Sequence, residues 1–296
     1  MHSDGKQYAS NGIIPKKKRG VMTCGIVGLG LMGGSFGLAM KDYFKEIIGI
    51  DHNENHKKDA LNLGLVNNIG DFKDLENVDV IILAIPIRGI IAALQTLSKM
   101  NLKKGCTIID FGSTKESIIN ECPSNIRENL VASHPMAGTE YSGPMAAIAD
   151  LYENKIMVIC NIEQSGEAQR KRAIEIYEHL KMKIKYMDAK EHDRHAAFIS
   201  HMPHIVSFSL ANAVLNQEDK EHIVTLAAGG FRDMSRLAKS NAHMWGDIFK
   251  ENKKNLLDSV EAFKSELKKA KEMIENEEWD KLKTWMETGN ELHKIM

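Results

Sequence analysis

The sequence predicts an α/β fold, an N-terminal doubly wound and mostly parallel sheet followed by an all-α C-terminal domain. From Met22 to Tyr186 short β-rich apolar runs alternate with helical stretches, the pattern of a sheet covered on both faces. After Asp188 the strand signals stop and only helical periodicity continues. The first apolar run passes through Gly28-x-Gly30-x-x-Gly33 into a helix, the strand–turn–helix that opens a Rossmann-type unit.

The strand-like runs are Met22–Val27, Ile47–Asp51, Val80–Ile85, Thr107–Asp110, Leu130–Ala132, Lys155–Cys160 and Lys183–Met187. Helical stretches between them include Leu31–Lys41, Glu54–Leu63 and Glu167–Leu180. The later strands are compatible with either direction. Residues 22–187 are therefore expected to form the sheet domain and residues 188–296 the helical one. In the second domain Pro203 is expected to kink a helix, and Gly229-Gly230 to interrupt the series. Leu256, Val260, Phe263, Leu267, Ala270 and Ile274 recur in four- and three-residue steps among Lys and Glu, an apolar seam on a long helix. Such a seam packs inside the domain or against another subunit. A homodimer through the helical domain is the expectation, since twofold dimers are the commonest oligomers.

Residues 1–21 stand apart. They are polar, end in Lys16-Lys17-Lys18-Arg19, and stop directly before Met22 and the first strand. They are expected to be a leader outside the fold, disordered or left over from expression, rather than a nucleic-acid patch or localisation signal. Lys+Arg (39) nearly balance Asp+Glu (40) over 296 residues, so overall charge points to neither nucleic acid nor an acidic membrane as partner. The most apolar stretch, Val78 to Leu94, is interrupted by Asp79, Pro86 and Arg88, and no membrane span is expected. Residues 1–21 also lack the apolar core of a secretory signal. Cys24, Cys106, Cys122 and Cys160 form no Cys-x-x-Cys pair, and three of them lie in apolar strand-like runs. Buried reduced thiols and a cytoplasmic protein follow from that.

The glycine turn suggests a dinucleotide. Gly28 permits the tight turn, Gly30 lets the backbone approach a pyrophosphate and Gly33 allows close helix–strand packing, with Leu29, Leu31 and Met32 completing the loop. The following helix offers unpaired N–H groups to the phosphates. Asp51, 23 residues after Gly28, stands where a carboxylate would accept hydrogen bonds from the adenosine ribose and repel a 2′-phosphate, which favours NAD over NADP. Its structural alternative is a helix N-cap, a role open to Asn53 as well. Ala84, Ile85 and Pro86 end a later strand and are expected to run beneath the cofactor.

Two further segments carry chemistry. In Asp110-Phe111-Gly112-Ser113-Thr114-Lys115-Glu116, Ser113 and Glu116 have capping-box spacing, yet Ser113 also sits at a strand's carboxyl end, where ligands bind in such sheets. His134, expected on a loop after another strand, is a candidate base: removing hydride from a carbinol carbon requires an acceptor for the hydroxyl proton, and neutral imidazole suits that task. Glu140 is either a substrate-orienting or gating acid, or a solvated loop residue. His201 and His204 lie three apart, as do His192 and His195. Without an accompanying carboxylate motif no metal site is expected, and His192 and His195 are expected to face solvent.

The segments SHPMAGTEYSGP (Ser133–Pro144), DFGSTK, SHMPH and GGFRDMSR occur in this order between Met22 and the C-terminus. In them the chain resembles the prephenate dehydrogenase family, which includes arogenate and cyclohexadienyl dehydrogenases. The resemblance implies NAD-dependent oxidative decarboxylation of prephenate to 4-hydroxyphenylpyruvate in tyrosine biosynthesis. By the family pattern His134 would take the ring-hydroxyl proton, with Ser113 beside it and the nicotinamide. His204 would contact the pyruvyl side chain, Arg236 would hold a substrate carboxylate, Glu140 matches a gating acid and Trp245 an aromatic close to the pocket. With no mutase domain before residue 22 and no separate regulatory domain after the helices, any tyrosine inhibition is expected to act at or near the active site. Three alternatives remain open at this point: arogenate as substrate, a β-hydroxyacid dehydrogenase, which shares the Gly28–Gly33 turn, and a nucleotide-sensing protein without turnover. The second would need a glycine-rich helix with a catalytic lysine, which is not found here. The third sits poorly with His134, Ser113 and Arg236 occurring together.

Overall fold

Eight strands join in one sheet in the computed structural model, which describes residues 20–295. They are β1 (Thr23–Val27), β2 (Glu46–Ile50), β3 (Asn68–Ile69), β4 (Val80–Leu83), β5 (Thr107–Asp110), β6 (Leu130–Pro135), β7 (Ile156–Cys160) and β8 (Lys183–Met187). Their spatial order is β3-β2-β1-β4-β5-β6-β7-β8. Every pairing from β3 across to β6 is parallel. β7 then runs antiparallel to β6, and β8 parallel to β7. The order reverses between β1 and β4, which opens a crevice at their carboxyl ends, the usual ligand position in such sheets.

The central strands are apolar because both faces are covered, whereas the edge strand β8 exposes Lys183, Lys185 and Tyr186. Ile26, Ile82, Ile109, Val131 and Ile159 point into one core with Phe36, Tyr152 and Tyr177. Their neighbours Val27, Ile81, Ile108, Leu130 and Val158 point into the other with Leu75, Ile90 and Leu94, the two-residue alternation of a pleated strand. The covering helices are α1 (Leu31–Met40), α2 (Glu54–Asn62), α3 (Ile87–Leu97), α4 (Glu116–Asn120) and α5 (Glu167–His179). Cys24, Cys106 and Cys160 are buried free thiols; burial pushes those of Cys106 and Cys160 up to about 12.

Two features of the sheet depart from expectation. The two-residue β3 has no run of β-formers to announce it. β6 also continues to Pro135, so His134 lies inside a strand, opposite Val158, rather than on the loop beyond it. The antiparallel β7 extends that pairing and draws the histidine into the ladder. Of the expected leader, residues 1–19 lie outside the described residues; Gly20 and Val21 lead into β1.

The helical half comprises α6 (Ala189–Ala196), α7 (Met202–Leu215), α8 (Lys220–Thr225), α9 (Gly229–Ser235), α10 (Ala242–Glu251), α11 (Lys253–Glu275) and α12 (Trp279–Asn290). A π-helical turn over Ala197–His201 joins α6 to α7. Pro203 lacks an N–H and presses on the preceding turn; the wider turn absorbs it without ending the helix. Gly229 and Gly230 begin α9 after a break from α8. The continuous run Ala189–Leu215 is, among the described residues, the one helix long and apolar enough to cross a bilayer by length and composition. Its polarity is inverted for a core helix: it buries His192, Asp193, His201, His204 and Ser207 and exposes Phe198, Ile199 and Leu215. The seam on α11 is likewise half covered, with Leu256 buried and Leu267 and Ile274 exposed.

Candidate active site

The glycine turn has the shape that a bound pyrophosphate needs. Gly28 has φ +95°, and a Cβ there would stand 2.3 Å from the Ala84 carbonyl oxygen. A Cβ on Gly33 would meet the Gly28 carbonyl oxygen at 1.9 Å, so α1 presses directly onto the turn. Gly30 differs, since the nearest atom to its Cβ position is the Gly143 nitrogen at 4.0 Å. The turn is thus closed toward the protein and open along Gly30. There α1 begins with neither a side-chain cap nor an acidic residue in its first turn, which leaves Leu31, Met32 and their neighbours to present N–H groups to an anion.

Asp51 completes this corner. Its Oδ2 accepts the Leu29 N–H and its Oδ1 the Asn53 N–H, each at 2.8 Å. The cap of α2 belongs to Asn53, whose side chain accepts from the Asn55 and His56 N–H groups. The capping alternative for Asp51 is thereby excluded. His52 and His56, to which the sequence reading gave no role, bring Nδ1 to 3.5 and 3.4 Å from the Asp51 carboxylate. On the crevice floor the Ile85 side chain packs against Gly28, and Pro86 starts α3.

The second group forms where β5 and β6 end. Asp110 and Lys115 are both wholly buried and paired with each other. Asp110 also accepts the Gly112 and Ser133 N–H groups, and Lys115 donates to the Ser133 carbonyl at 2.7 Å. Burial pushes the Asp110 carboxyl up, and the Lys115 ammonium and these N–H donors pull it back. The pair locks the residue before His134 to the residues around Ser113. Ser113 itself does not cap α4, contrary to its capping-box spacing. The N–H groups of Lys115 and Glu116 are taken by Asp193 of α6, at 2.8 and 2.9 Å. An acid that arrives from the helical half displaces the local hydroxyl because a carboxylate is the stronger acceptor.

His134 is part-buried, and its Nδ1 lies 2.9 Å from Nε2 of His192. His192 Nδ1 lies 2.7 Å from Asp193 Oδ1. The solvent-facing expectation is therefore wrong for His192, which is 3% exposed, while His195 is exposed. Ala189, Ala196 and Ala197 form one buried face of the helix, and His192 and Asp193 fall on it by the 3.6-residue period; that was the missed signal. Burial, then His192, Lys115 and His201, hold the His134 imidazole well below the usual histidine pKa, so the ring is neutral and able to accept a proton.

The residues expected at the substrate end also assemble. The His204 ring stacks on Trp245 with centroids 3.4 Å apart, and its Nδ1–H donates to the Ser200 carbonyl at 2.8 Å. Arg236 Nη1 lies 3.8 Å from Glu140 Oε2. Burial lowers the pKa of His204, and the nearby Arg236 guanidinium lowers it further. His201 points elsewhere: it is buried and accepts from the Asn252 side-chain amide at 3.1 Å, so the two histidines of Ser200-His201-Met202-Pro203-His204 have separate partners.

A glycine-turn nucleotide corner, a neutral imidazole at the end of another strand of the same sheet and an arginine brought in by a helical half are the parts of a nucleotide-dependent dehydrogenase. Residues 36–186 match the family described as "Prephenate dehydrogenase, nucleotide-binding domain", and residues 188–288 match "Prephenate dehydrogenase, dimerization domain". The chain is 34% identical over 282 residues to the prephenate dehydrogenase of Lactococcus lactis subsp. cremoris, covering 92% of this chain and 76% of that one. Its structure is similar to A. aeolicus prephenate dehydrogenase in complex with hydroxyphenyl propionate and NAD+, with TM-score 0.87 and 29% identity over 95% of this chain and 100% of that one. Synechocystis arogenate dehydrogenase gives TM-score 0.77 and 28% identity over 93% of this chain and 100% of that one. The chain belongs to the prephenate dehydrogenase family, and the β-hydroxyacid dehydrogenase alternative is set aside.

Proposed function

We propose that this protein oxidises and decarboxylates prephenate to 4-hydroxyphenylpyruvate, a step of tyrosine biosynthesis. The observation that supports the reading is that three elements lie toward one end of the sheet. These are the open Gly30 corner at β1, neutral His134 at β6, and the Arg236–Glu140 pair, which links the helical half to the segment following β6.

The nucleotide corner fits NAD. Gly28, Leu29, Gly30, Leu31, Met32 and Gly33 would hold its pyrophosphate, Asp51 its adenosine ribose, and Ala84, Ile85, Pro86 and Ser113 would line its path. When bound, NAD supplies the hydride acceptor. His134 accepts the proton of the substrate's ring hydroxyl as that carbon is oxidised. Loss of the ring carboxylate as CO2 then sends its bonding electrons through the ring to that carbonyl oxygen, which recovers the proton from His134 as the aromatic phenol forms. The protein's own task is to position the substrate, take one proton and return it.

Prephenate carries two carboxylates, and a guanidinium fork suits one of them. Arg236 would exchange Glu140 for that carboxylate, which makes Glu140 a gate that yields when substrate enters. His204, held flat by Trp245, would contact the pyruvyl group. Tyrosine, which shares a ring and a carboxylate with the product, would compete for the same Arg236 pocket. A homodimer is the reading of the exposed apolar residues Phe198, Ile199, Leu215, Leu267 and Ile274 on the helical half. Three buried free thiols support a cytoplasmic location.

The test is NADH formation by the purified protein from prephenate and NAD, with arogenate and NADP as comparison arms. Prephenate with NAD is expected to give the highest kcat/KM. In His134→Asn, kcat is expected to fall far more than KM changes, the signature of a lost transition-state proton acceptor. NAD binding without NADH formation from either substrate would overturn the reading in favour of a nucleotide sensor.

A further inference from the structure

The hydrogen-bond wiring behind His134 decides which of its two nitrogens can act as the base. Asp193 Oδ1 accepts the Lys115 N–H and lies 2.7 Å from His192 Nδ1, while its Oδ2 accepts the Glu116 N–H. An ionised carboxylate only accepts, so His192 Nδ1 carries a proton and donates it to Asp193. In the neutral ring His192 Nε2 is then bare. It stands 2.9 Å from His134 Nδ1, and one of these two nitrogens must donate. With His192 Nε2 bare, the donor is His134 Nδ1–H.

We infer that His192 and Asp193 form a positioning relay that fixes His134 as the Nδ1–H tautomer and leaves its Nε2 lone pair to receive the substrate's proton. The inference rests on the reading of His134 as the proton acceptor. When Nε2 takes that proton, the imidazolium keeps its Nδ1–H bond to His192, and Asp193 faces the far side of the pair. The charge that appears on the base thus develops along a line that ends in a carboxylate. The rings meet edge to face, 5.1 Å between centroids and 74° between planes, which keeps the Nδ1–Nε2 contact in line while the His134 ring edge is held.

The neighbours make this wiring specific. Lys115, paired with Asp110, and His201 of the π-helical turn both disfavour positive charge on His134. Of the groups packed around the two rings, Asp193 is the acceptor seated directly on His192. The alternative wiring has His192 doubly protonated and donating to both sides. It would force His134 into the Nε2–H tautomer, with no lone pair toward the substrate. The two arrangements are distinguishable without any turnover.

The experiment is 15N NMR of the full-length protein labelled in histidine, with His134 assigned by comparison with His134→Asn. The wild type is expected to show His134 protonated at Nδ1 and bare at Nε2. His192→Leu removes the acceptor and is expected to give a mixed His134 tautomer and a kcat lower by about 100-fold, with KM within about threefold, because a wrong tautomer disables an otherwise intact base. His192→Gln supplies an amide that both accepts and donates; it is expected to restore the Nδ1–H tautomer and most of kcat. An Nε2–H tautomer in the wild type, or a folded His192→Leu protein with unchanged kcat, overturns the relay. A wild type that shows the expected tautomer yet produces no NADH leaves the relay standing and removes the proposed reaction instead.

Discussion

Asp193 accepts the backbone N–H of Lys115 at 2.8 Å across 78 positions of the chain. This joins the helical half to the carboxyl end of β5, and the same carboxylate faces His192. One side chain therefore starts α4, anchors α6 against the sheet and stands behind the residue that contacts His134. Stability and chemistry meet in it.

Asp193→Ala removes the cap on two α4 N–H groups and the acceptor for His192 together. A lost cap costs about 1 kcal/mol and a buried unsatisfied donor about 1–3 kcal/mol. A loss on the order of 3 kcal/mol, read from the urea midpoint, is expected, with NADH formation reduced more than NAD affinity. Asp193→Asn keeps an acceptor oxygen and is expected to recover most of the stability. Equal urea midpoints for wild type and Asp193→Ala would contradict the joint.

Lys115→Met strands Asp110 as a buried carboxylate that keeps only backbone donors. Breaking a buried ion pair from one side costs about 3–5 kcal/mol, and chemical denaturation of this variant is expected to show a loss in that range. Adding Asp110→Asn removes the uncompensated charge and is expected to return a substantial part of it. If the double variant is no more stable than Lys115→Met, the pair is not what the site depends on.

Much of this was legible in the sequence. Gly28, Gly30, Gly33 and Asp51 carry local signals, because turn geometry and strand-end position depend on the nearest few residues, and the strand–helix alternation depends only on which side chains avoid water. The extension of β6 through His134 was hidden, since it depends on pairing with β7, more than twenty residues away. The Ser113–Glu116 spacing misled for a similar reason: the acid that caps α4 comes from residue 193. His192 was misplaced because a histidine beside acids and lysines reads as surface unless the buried alanines around it are weighed together.

Gly30→Ala and Gly33→Ala are expected to fail in opposite ways. At Gly30 the added methyl meets nothing closer than 4.0 Å, so the fold and its melting temperature are expected to stay close to wild type. The methyl would nevertheless stand where the pyrophosphate approaches the backbone, and NAD affinity by titration calorimetry is expected to drop at least about tenfold, roughly 1.4 kcal/mol. At Gly33 the methyl would collide with the Gly28 carbonyl oxygen at 1.9 Å, and thermal stability falls first. Unchanged NAD affinity in a folded Gly30→Ala protein would move the pyrophosphate elsewhere.

Acid is expected to weaken the fold through histidines buried in the neutral form. His201 is 1% exposed, and burial pulls its pKa down to about 4, with Asp193 opposing. The unfolded chain takes up that proton near pH 6.5, whereas the folded protein refuses it until about 4. Between those values the unfolded state binds more protons, so stability rises with pH. The contribution is complete above pH 6.5 and is lost as pH falls toward 4, roughly 3 kcal/mol for His201 alone. His134 adds a loss of the same sign, since its pKa also lies below the usual value. Urea midpoints followed from pH 7 to pH 4 are expected to fall steadily. In His201→Gln, whose amide can still accept from Asn252 but does not titrate, that slope is expected to flatten while the His134 part remains. An acid slope left unchanged by His201→Gln would mean that the ring is already charged in the folded protein.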